Sequence, residues 1–238
     1  QSRDRVKLEE TPQFTVPFEA IGAPTKSGSA EELNEAKIEQ IEKYMDQLID
    51  SSAWKLHSNL DGVFVKSLSE SIFNHDLPVT YVMIELAGNV APGFILNFLN
   101  NPEKRLKWDN NYTEMEEVTR FAGWDFITRT VVDMKFSLMR NREFLERKVV
   151  KQQDNTTNVI YYSCDLKKVP LNDKYVRGYT VFGFQRIVKK PTGTDLHLVC
   201  QSDMKMPFAA KTASLVVSRL AKWAKDLKDR LERASLEA

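Results

Sequence analysis

The 238-residue sequence lacks a hydrophobic run long enough to cross a membrane. Its most apolar stretch, VMIELAGNVAPGFILNFL, is interrupted by Glu85 and Asn89, whereas a spanning helix needs about 20 mostly apolar residues. The first ten residues, QSRDRVKLEE, have no apolar segment of the kind that a secretory signal peptide requires, and no initial Met. We therefore expect a fragment or processed form of a cytoplasmic protein.

The sequence also has few cysteines and almost no net charge. The two cysteines, Cys164 and Cys200, each lie in an apolar, strand-like stretch. We interpret them as buried free thiols, with a disulfide or a metal site as the alternative. The 34 basic and 33 acidic side chains leave a formal charge of +1, which does not indicate a nucleic-acid-binding protein. The length and the 42% hydrophobic content suit one fairly large globular domain.

Catalytic and metal-binding motifs are missing as well. The sequence contains no G-x-S-x-G, H-E-x-x-H, P-loop or G-x-G-x-x-G pattern. The histidines, His57, His75 and His197, are far apart, and none has the spacing of a metal ligand. Asp133 and Glu146 lie on neighbouring predicted strands and could form a carboxylate pair, although strand acids are usually solvated or salt-bridged. The sequence thus favours a binding protein without a metal or cofactor over an enzyme.

Helical patterns occur at both ends of the chain and once near its centre. Residues 1–28 mix Pro, Gly, Thr and Ser without a period, which predicts an extended tether. A capping box formed by Ser29 and Glu32 predicts a first helix that ends at about Asp50. A long amphipathic pattern from Pro207 to Arg233 predicts a last helix on the order of 40 Å long, followed by a tail at 235–238.

The rest of the chain is mostly strand-like. Pro92 and Pro102 each open a short predicted helix, with three predicted strands before the pair and six after it. An antiparallel sheet of about nine strands cannot stay flat, and a long amphipathic helix is the obvious cover for its concave face. We predict an α+β fold in which a curved sheet wraps around the C-terminal helix, with room for a ligand between them.

Three motifs in a fixed order carry a resemblance to a known family. They are R-x-x-W-D (Arg105 to Asp109), R-[DE]-F (Arg142 to Phe144) and P-L-N-x-x-Y-V-R-G-Y (Pro170 to Tyr179). With Gly193, Asp203 and Pro207, this set resembles the START domain, the steroidogenic acute regulatory protein-related lipid-transfer family, over roughly residues 31–233. The resemblance implies a helix-grip fold with a lipid-sized tunnel, which assigns residues 29–234 to a lipid-binding domain.

Arg105 and Asp109 are one helical turn apart and could pair. On a surface such a pair contributes about 0.3–0.5 kcal/mol to helix stability and indicates little about function. The resemblance implies instead that both side chains point into the deep end of the tunnel, where they pair or meet the polar part of the lipid. The function of the chain depends on which environment the pair occupies.

The resemblance also implies a set of ligand-binding positions. Besides Arg105 and Asp109, these are Val131, Asp133, Phe144, Tyr161, Val181, Gln201, Phe208, Thr212, Leu215 and Val216. Phosphatidylcholine-binding relatives have aromatic residues at the positions that align with Val131 and Val181, and ceramide-binding relatives have amides at Val131 and Tyr161. Neither pattern is present, so a sterol is slightly favoured, with a phospholipid, including phosphatidylcholine, as the alternative ligand. The family usually has Asp at position 143, where Glu143 is expected to keep a structural ion pair.

The segment MKFSLMRN, Met134 to Asn141, resembles the gate loop at the tunnel mouth of this family. Phe136, Leu138 and Met139 could enter a membrane transiently while Lys135 and Arg140 meet phosphates, or the loop could fold back on the core. On the last helix, Lys222, Lys225 and Lys228 alternate with acids, which is typical of a solvated charge-mixed face rather than a membrane-docking patch.

Three functions remain open from the sequence. The first is a non-enzymatic, monomeric carrier that encloses one lipid and moves it between membranes, associating with them peripherally. The second is a lipid-sensing regulatory module of a larger protein, since residues 1–28 resemble the end of a longer chain. The third is an enzyme that acts on a hydrophobic substrate within the same fold.

Overall fold

The computed structural model describes residues 35–68, 78–88, 90–121, 123–135, 138–206 and 209–237, without the side chains of 35–41 and 209–216. The expected tether at 1–28 and the capping box of Ser29 and Glu32 lie outside these residues.

Four helices form within the described residues: α1 (Glu35–Ile49), α2 (Pro92–Asn100), α3 (Pro102–Trp108) and α4 (Ala209–Leu236). The two central helices begin at their prolines, whose fixed φ suits a first helical turn. The side chain of Asn101 caps α3 by accepting a hydrogen bond from the Lys104 backbone N–H at 3.1 Å. None of the four helices is both long and apolar enough to span a membrane.

The described residues form one ten-stranded sheet. Its strands are β1 (Lys55–Leu60), β2 (Val63–Leu68), β3 (Val79–Ala87), β4 (Tyr112–Arg120), β5 (Asp125–Val132), β6 (Arg142–Gln153), β7 (Thr156–Ser163), β8 (Val176–Arg177), β9 (Tyr179–Lys190) and β10 (Gly193–Asp203). Nine of them run antiparallel in the order β1-β2-β3-β10-β9-β7-β6-β5-β4, and β8 pairs parallel to β6. The sequence predicted one strand where the chain forms β8 and β9, and the break falls at Gly178.

Each face of the sheet supports a separate hydrophobic cluster. On the face that we call inner, residues of β2, β3 and β10 pack against α2, the end of α3 and, through Ala224, Leu227 and Leu231, against α4. On the outer face, Tyr44, Met45 and Leu48 of α1 pack against strands β3, β9 and β10. The sheet is thus covered on both sides, and α4 lies across its inner face, as the amphipathic pattern predicted.

Two glycines allow aromatic rings to lie against the backbone of the sheet. A Cβ added to Gly183 would lie 2.0 Å from ring carbons of Tyr161 on the neighbouring strand β7. A Cβ added to Gly178 would lie 2.4 Å from Cζ of Phe144. Both rings therefore occupy space that any larger residue at these positions would fill.

Candidate functional site

A cavity of about 870 Å³ lies between the inner face of the sheet and helices α2, α3 and α4. This volume is within the range of about 300–1,000 Å³ that is typical of small-molecule sites. Most of the exposed lining is apolar, from side chains such as Val82, Leu99, Met115, Leu198 and Leu220. The buried polar side chains of the lining form two clusters, one around Arg105 and Asp109 and one around Glu146.

Five residues that the resemblance assigned to the ligand site line this cavity: Arg105, Asp109, Asp133, Phe144 and Tyr161. Arg105 and Asp109 lie at the end of α3, and Phe144 and Tyr161 project from β6 and β7. Asp133 lies just after β5, where it pairs with Lys135 at 2.8 Å. These five residues thus line the cavity from its helical and its strand side, and their contact with a ligand stays a prediction.

Val131 lies on the other face of its strand. Its neighbours Thr130 and Val132 line the cavity, and Val131 itself is fully buried outside the lining. Since successive residues of a strand point to opposite faces, an alignment that is wrong by one residue exchanges the two faces. We therefore withdraw Val131 as a ligand contact.

Val181 and Gln201 are likewise outside the cavity lining. Val181 belongs to the outer cluster, and Gln201 is fully buried opposite Phe182 on the same outer side. Between Gln201 and Ser202 the register of β9 and β10 shifts, and it is Thr180 and Ser202 that line the cavity. An irregularity of this kind leaves no signal in the hydrophobic alternation of the sequence.

The remaining assigned positions fall outside what the structure describes. Phe136 and Phe208 lie outside the described residues, and the side chains of Thr212, Leu215 and Val216 are not among the described ones, although α4 passes through these positions.

The pair formed by Arg105 and Asp109 is buried. Arg105 Nη2 lies 2.7 Å from Asp109 Oδ2, and the two side chains are only 8% and 1% exposed. The carboxylate of Asp109 also accepts hydrogen bonds from Trp223 Nε1 at 3.0 Å and from the backbone N–H and side-chain amide of Asn111 at 3.1 and 3.0 Å. Because several donors serve one carboxylate, the pair holds α3, the start of β4 and α4 together.

Three aromatic rings surround the guanidinium of Arg105. Its Cζ lies 4.6 Å from the ring centroid of Trp108, 5.0 Å from that of Tyr112 and 5.5 Å from that of Trp223. Each such cation–π contact contributes about 0.5–2 kcal/mol, depending on how far the cation is desolvated. Burial raises the pKa of the Tyr112 hydroxyl to about 12, so this ring stays neutral at physiological pH.

A second polar group in the cavity lies on β6, β9 and β10. Thr180 Oγ1 donates a hydrogen bond to Glu146 Oε1 at 2.6 Å, and Lys148 Nζ lies 3.9 Å from Glu146 Oε2. The hydroxyl of Ser202 lies 3.3 Å from Thr180 Oγ1 and 3.0 Å from Cys200 Sγ. Burial lowers the pKa of Lys148, while Glu146 opposes that shift. The motif-based assignment missed this group.

A signal for part of this second group was present in the sequence. Glu146 and Lys148 follow Phe144 at intervals of two on the same strand, so all three must share a face. Placing Phe144 in the cavity therefore predicts the other two there as well. Thr180 and Ser202 had no comparable signal.

Asp133 and Glu146 do not share one environment. Lys135 lowers the pKa of Asp133 through hydrogen bonds from its ammonium and backbone N–H groups, whereas Glu146 accepts from Thr180 and faces Lys148.

Both cysteines are free thiols, and burial raises the pKa of Cys200 to about 11. In the described part of the chain, no three His, Cys, Asp or Glu side chains are grouped so that they could hold a metal ion.

The third histidine lies away from the cavity. His197 Nδ1 is 2.7 Å from the hydroxyl of Tyr81, whose ring is part of the outer cluster. Burial lowers the pKa of His197 to about 4, with the nearby charge of Asp195 acting in the opposite direction.

The gate loop is partly described. Leu138 is 98% exposed, Met139 is half-buried, and Arg140 donates to the backbone oxygen of Asp173 at 2.9 Å. The guanidinium of Arg142 donates to the backbone oxygens of Arg140, Met204 and Lys205. It therefore ties the end of the loop to the segment that precedes α4.

Other charged positions have structural partners. Glu143 pairs with Arg129 at 2.5 Å and with Arg177 at 2.8 Å, so the longer acid keeps the ion pair that was expected of it. On α4, Lys225 pairs with Asp61 at 2.7 Å and with Asp229 at 2.6 Å. The charges around Lys225 are mixed, as the sequence pattern predicted, whereas Lys222 lines the cavity and the side chain of Lys228 is only 12% exposed.

The long helix over a curved antiparallel sheet, with a cavity between them, defines a helix-grip ligand-binding domain. The family model of the START domain matches residues 38–236, and the chain therefore belongs to the START domain family. Comparison with curated proteins gave no match.

Solved structures of human lipid-transfer proteins share the fold. Human StAR-related lipid transfer protein 5 is 19% identical, with a TM-score of 0.71 over 85% of this chain and 96% of that one. Human STARD10 is 17% identical, with a TM-score of 0.67 over 79% of this chain and 78% of that one. The lipid transfer and protein localization domain of human StarD13 is 16% identical, with a TM-score of 0.65 over 83% and 96%.

Proposed function

We propose that this chain binds one lipid in its cavity and carries it between membranes without changing it chemically. The observation that carries the proposal is the 870 Å³ cavity, mostly apolar in lining, whose buried charges form two neutral pairs. Membership of the START family and the similarity to human StAR-related lipid transfer protein 5 support lipid transfer. Enclosing apolar tails contributes about 25 cal/mol per Å² of surface removed from water.

The size of the cavity favours a sterol. At about 870 Å³ the cavity lies in the upper part of the range of about 300–1,000 Å³ that is typical of small-molecule sites. A compact lipid such as a sterol fits this range better than a two-tailed phospholipid of ordinary chain length, which is larger. A phospholipid carrier remains the second candidate, since α4 and the gate loop border the cavity mouth and could move apart.

The charge of the cavity also favours a neutral polar end. Arg105 faces Asp109, and Lys148 faces Glu146, so neither buried cation is available in full to a phosphate. The hydroxyls of Thr180 and Ser202 beside Glu146 offer hydrogen bonds of the kind that a lipid hydroxyl makes. We propose that the hydroxyl of the ligand joins this second polar group.

We further propose that the protein works as a monomer and contacts membranes peripherally through its gate loop. Leu138 is almost fully exposed on the gate loop, and Met134 and Lys135 at the start of this loop line the cavity. An apolar side chain between basic ones suits the interface of an anionic membrane. The absence of catalysis is part of the proposal, because Asp133 and Glu146 each have a cation and hydrogen-bond donor of their own.

The ligand is tested by native mass spectrometry of the protein after incubation with mixed liposomes, followed by extraction of the bound lipid. A single stoichiometric sterol supports the proposal, and a bound phosphatidylcholine contradicts the sterol preference. A folded protein that retains no lipid from any mixture contradicts the carrier function itself.

The gate is tested by transfer rates between vesicles. Leu138→Asp is expected to slow transfer at least tenfold. Insertion of the loop into the membrane would remove the carboxylate of this variant from water, which is unfavourable. Leu60→Asp is the matched control, since Leu60 is 64% exposed at the end of β1. Equal rates for the two variants contradict the proposed role of the loop.

A further inference from the structure

Lys148 places a buried amine in the wall of the cavity. Three lysines line the cavity in the described part of the chain. Lys135 and Lys222 are exposed, whereas the side chain of Lys148 is only 7% exposed. Its Nζ lies 5.5 Å from the ring centroid of Tyr161, which lines the cavity as well. A hydrophobic molecule in the cavity would therefore meet an amine that bulk water hardly reaches.

The carboxylate beside Lys148 does not hold the amine in a hydrogen bond. Glu146 Oε2 lies 3.9 Å from Lys148 Nζ, beyond the range of about 2.7–3.2 Å of an N–H···O bond. The other oxygen, Oε1, accepts from the Thr180 hydroxyl at 2.6 Å, which fixes the carboxylate in this position. By contrast, Lys135 Nζ donates to Asp133 Oδ2 at 2.8 Å. Lys148 thus has a counter-ion close by that does not occupy its nitrogen.

This environment favours the neutral form of the amine, which is the nucleophile. Burial lowers the pKa of Lys148, and the charge of Arg105 acts in the same direction, against Glu146 and Cys200. A lysine desolvated in an apolar pocket is suited to attack a carbonyl carbon and form an imine. The amine and an aldehyde join through a carbon–nitrogen double bond. The carbonyl oxygen leaves as water with the two hydrogens of the amine, so the step needs no oxidant or reductant.

We propose that Lys148 captures lipid aldehydes as a reversible imine, in addition to the hydrogen-bonded binding proposed for a lipid hydroxyl. The apolar lining would hold the hydrocarbon chain, and the carboxylate of Glu146 is close enough to pair with the protonated imine. Hydrolysis reverses the step and returns the aldehyde unchanged, which is compatible with a carrier. The inference rests on the proposed function in one respect, since the aldehyde must enter the cavity.

The test traps the imine by reduction. The protein is incubated with decanal and sodium cyanoborohydride, which converts an imine into a stable secondary amine, and peptide mapping by mass spectrometry locates the alkylated lysines. We expect decanal to modify Lys148 at least tenfold faster than Lys135, which also lines the cavity but is bonded to Asp133. Propanal has the same carbonyl group without a long chain to bury, so the preference for Lys148 should fall with this aldehyde.

Lys148→Arg is the matched variant, because a guanidinium keeps a positive charge beside Glu146 and does not form the imine. It should lose the fast modification by decanal, whereas Lys135→Arg should keep it. Fast modification of another lysine in folded Lys148→Arg overturns the inference. Modification of Lys148 no faster than of Lys135 in the wild type also overturns it, and that result does not depend on whether a variant folds.

Failure of this inference can be distinguished from failure of the proposed function. A wild type that retains one sterol from liposomes but modifies Lys148 slowly contradicts the imine and leaves the carrier function standing. A folded wild type that retains no lipid contradicts the carrier function, and fast modification of Lys148 by decanal would still support the imine.

Discussion

Two ion pairs of this protein have the same chemistry and different surroundings. Arg105–Asp109 on α3 and Asp226–Arg230 on α4 are both Arg and Asp one helical turn apart, at 2.7 and 2.8 Å. The side chains of Arg105 and Asp109 are 8% and 1% exposed, whereas those of Asp226 and Arg230 are 50% and 42% exposed. Spacing alone predicts both pairs equally well.

The difference between them lies in what else the charges touch. Asp226 bonds to Arg230 on its own helix, whereas Asp109 also accepts from Trp223 and Asn111, and Arg105 is enclosed by rings. Removing one partner of an exposed pair returns the other to water. Removing one partner of the buried pair leaves an uncompensated charge away from water, which costs far more.

The largest effect is expected for Asp109→Ala. The free energy of unfolding should fall by about 3–5 kcal/mol, because Arg105 then remains buried without its counter-ion. Urea denaturation at neutral pH measures this change. A loss below about 1 kcal/mol would show that water reaches the pair and that the cavity is not closed around it.

A half-buried histidine on the opposite face of the sheet should make stability depend on pH. His197 has a pKa of about 4 in the folded chain against 6.5 in the unfolded chain, so the unfolded state binds more protons between these values. The contribution of His197 to the free energy of unfolding is fully present above pH 6.5 and is lost as the pH falls toward 4. At 1.36 kcal/mol per pH unit, this loss amounts to about 3 kcal/mol.

The measurement compares wild type with His197→Gln by urea denaturation at several pH values. The variant should lack this part of the pH dependence, while His57→Gln, at an exposed histidine, should keep it. Identical pH profiles for wild type and His197→Gln would contradict the assignment.

Thr180→Val is expected to have an intermediate effect. The substitution removes the hydrogen bond to the Glu146 carboxylate, and bonds to charged groups contribute about 1.5–3 kcal/mol. Thr128→Val is the matched control, because Thr128 is fully buried and its Oγ1 has no hydrogen-bond partner. This second change should leave the midpoint of thermal unfolding unchanged or raise it. Equal losses for the two variants would show that the bond to Glu146 does not contribute.

The smallest effect is expected for the exposed pair. Asp226→Ala should change the free energy of unfolding by no more than about 0.5 kcal/mol. The change should shrink further in about 1 M salt, where the screening length is about 3 Å. Denaturation at low and high salt checks both statements, and an effect near that of Asp109→Ala would remove the contrast between the pairs.

The fold could be predicted in large part from the sequence because its signals are periodic. Pro92 and Pro102 marked two helix starts, and the spacing of apolar residues in α4 predicted a helix across the sheet. β8 has two residues and its parallel pairing with β6 depends on a distant strand, so no local pattern could reveal it.

Residues of the candidate site could be predicted where they belong to a motif. They could not be predicted where their position depends on the register between neighbouring strands. Arg105, Asp109 and Phe144 belong to motifs, and they line the cavity. Val131 belongs to no motif, and it lies one position away from Thr130 and Val132, which line the cavity. One position exchanges the faces of a strand. The rings of residues 108, 112 and 223 meet at the guanidinium of Arg105, a proximity that only the folded chain creates.

Gly183 decides the shape of the cavity by having no side chain. The ring of Tyr161 rests where a Cβ would be, so alanine at this position would turn the phenol ring rather than break the strand. The ring would move into the cavity and reduce its volume. The Tyr161 hydroxyl would lose its hydrogen bond with Cys200, while the pair of Arg105 and Asp109 stayed in place. A single added methyl group at position 183 would therefore change the size of the ligand that the cavity accepts, without replacing any polar residue of its lining.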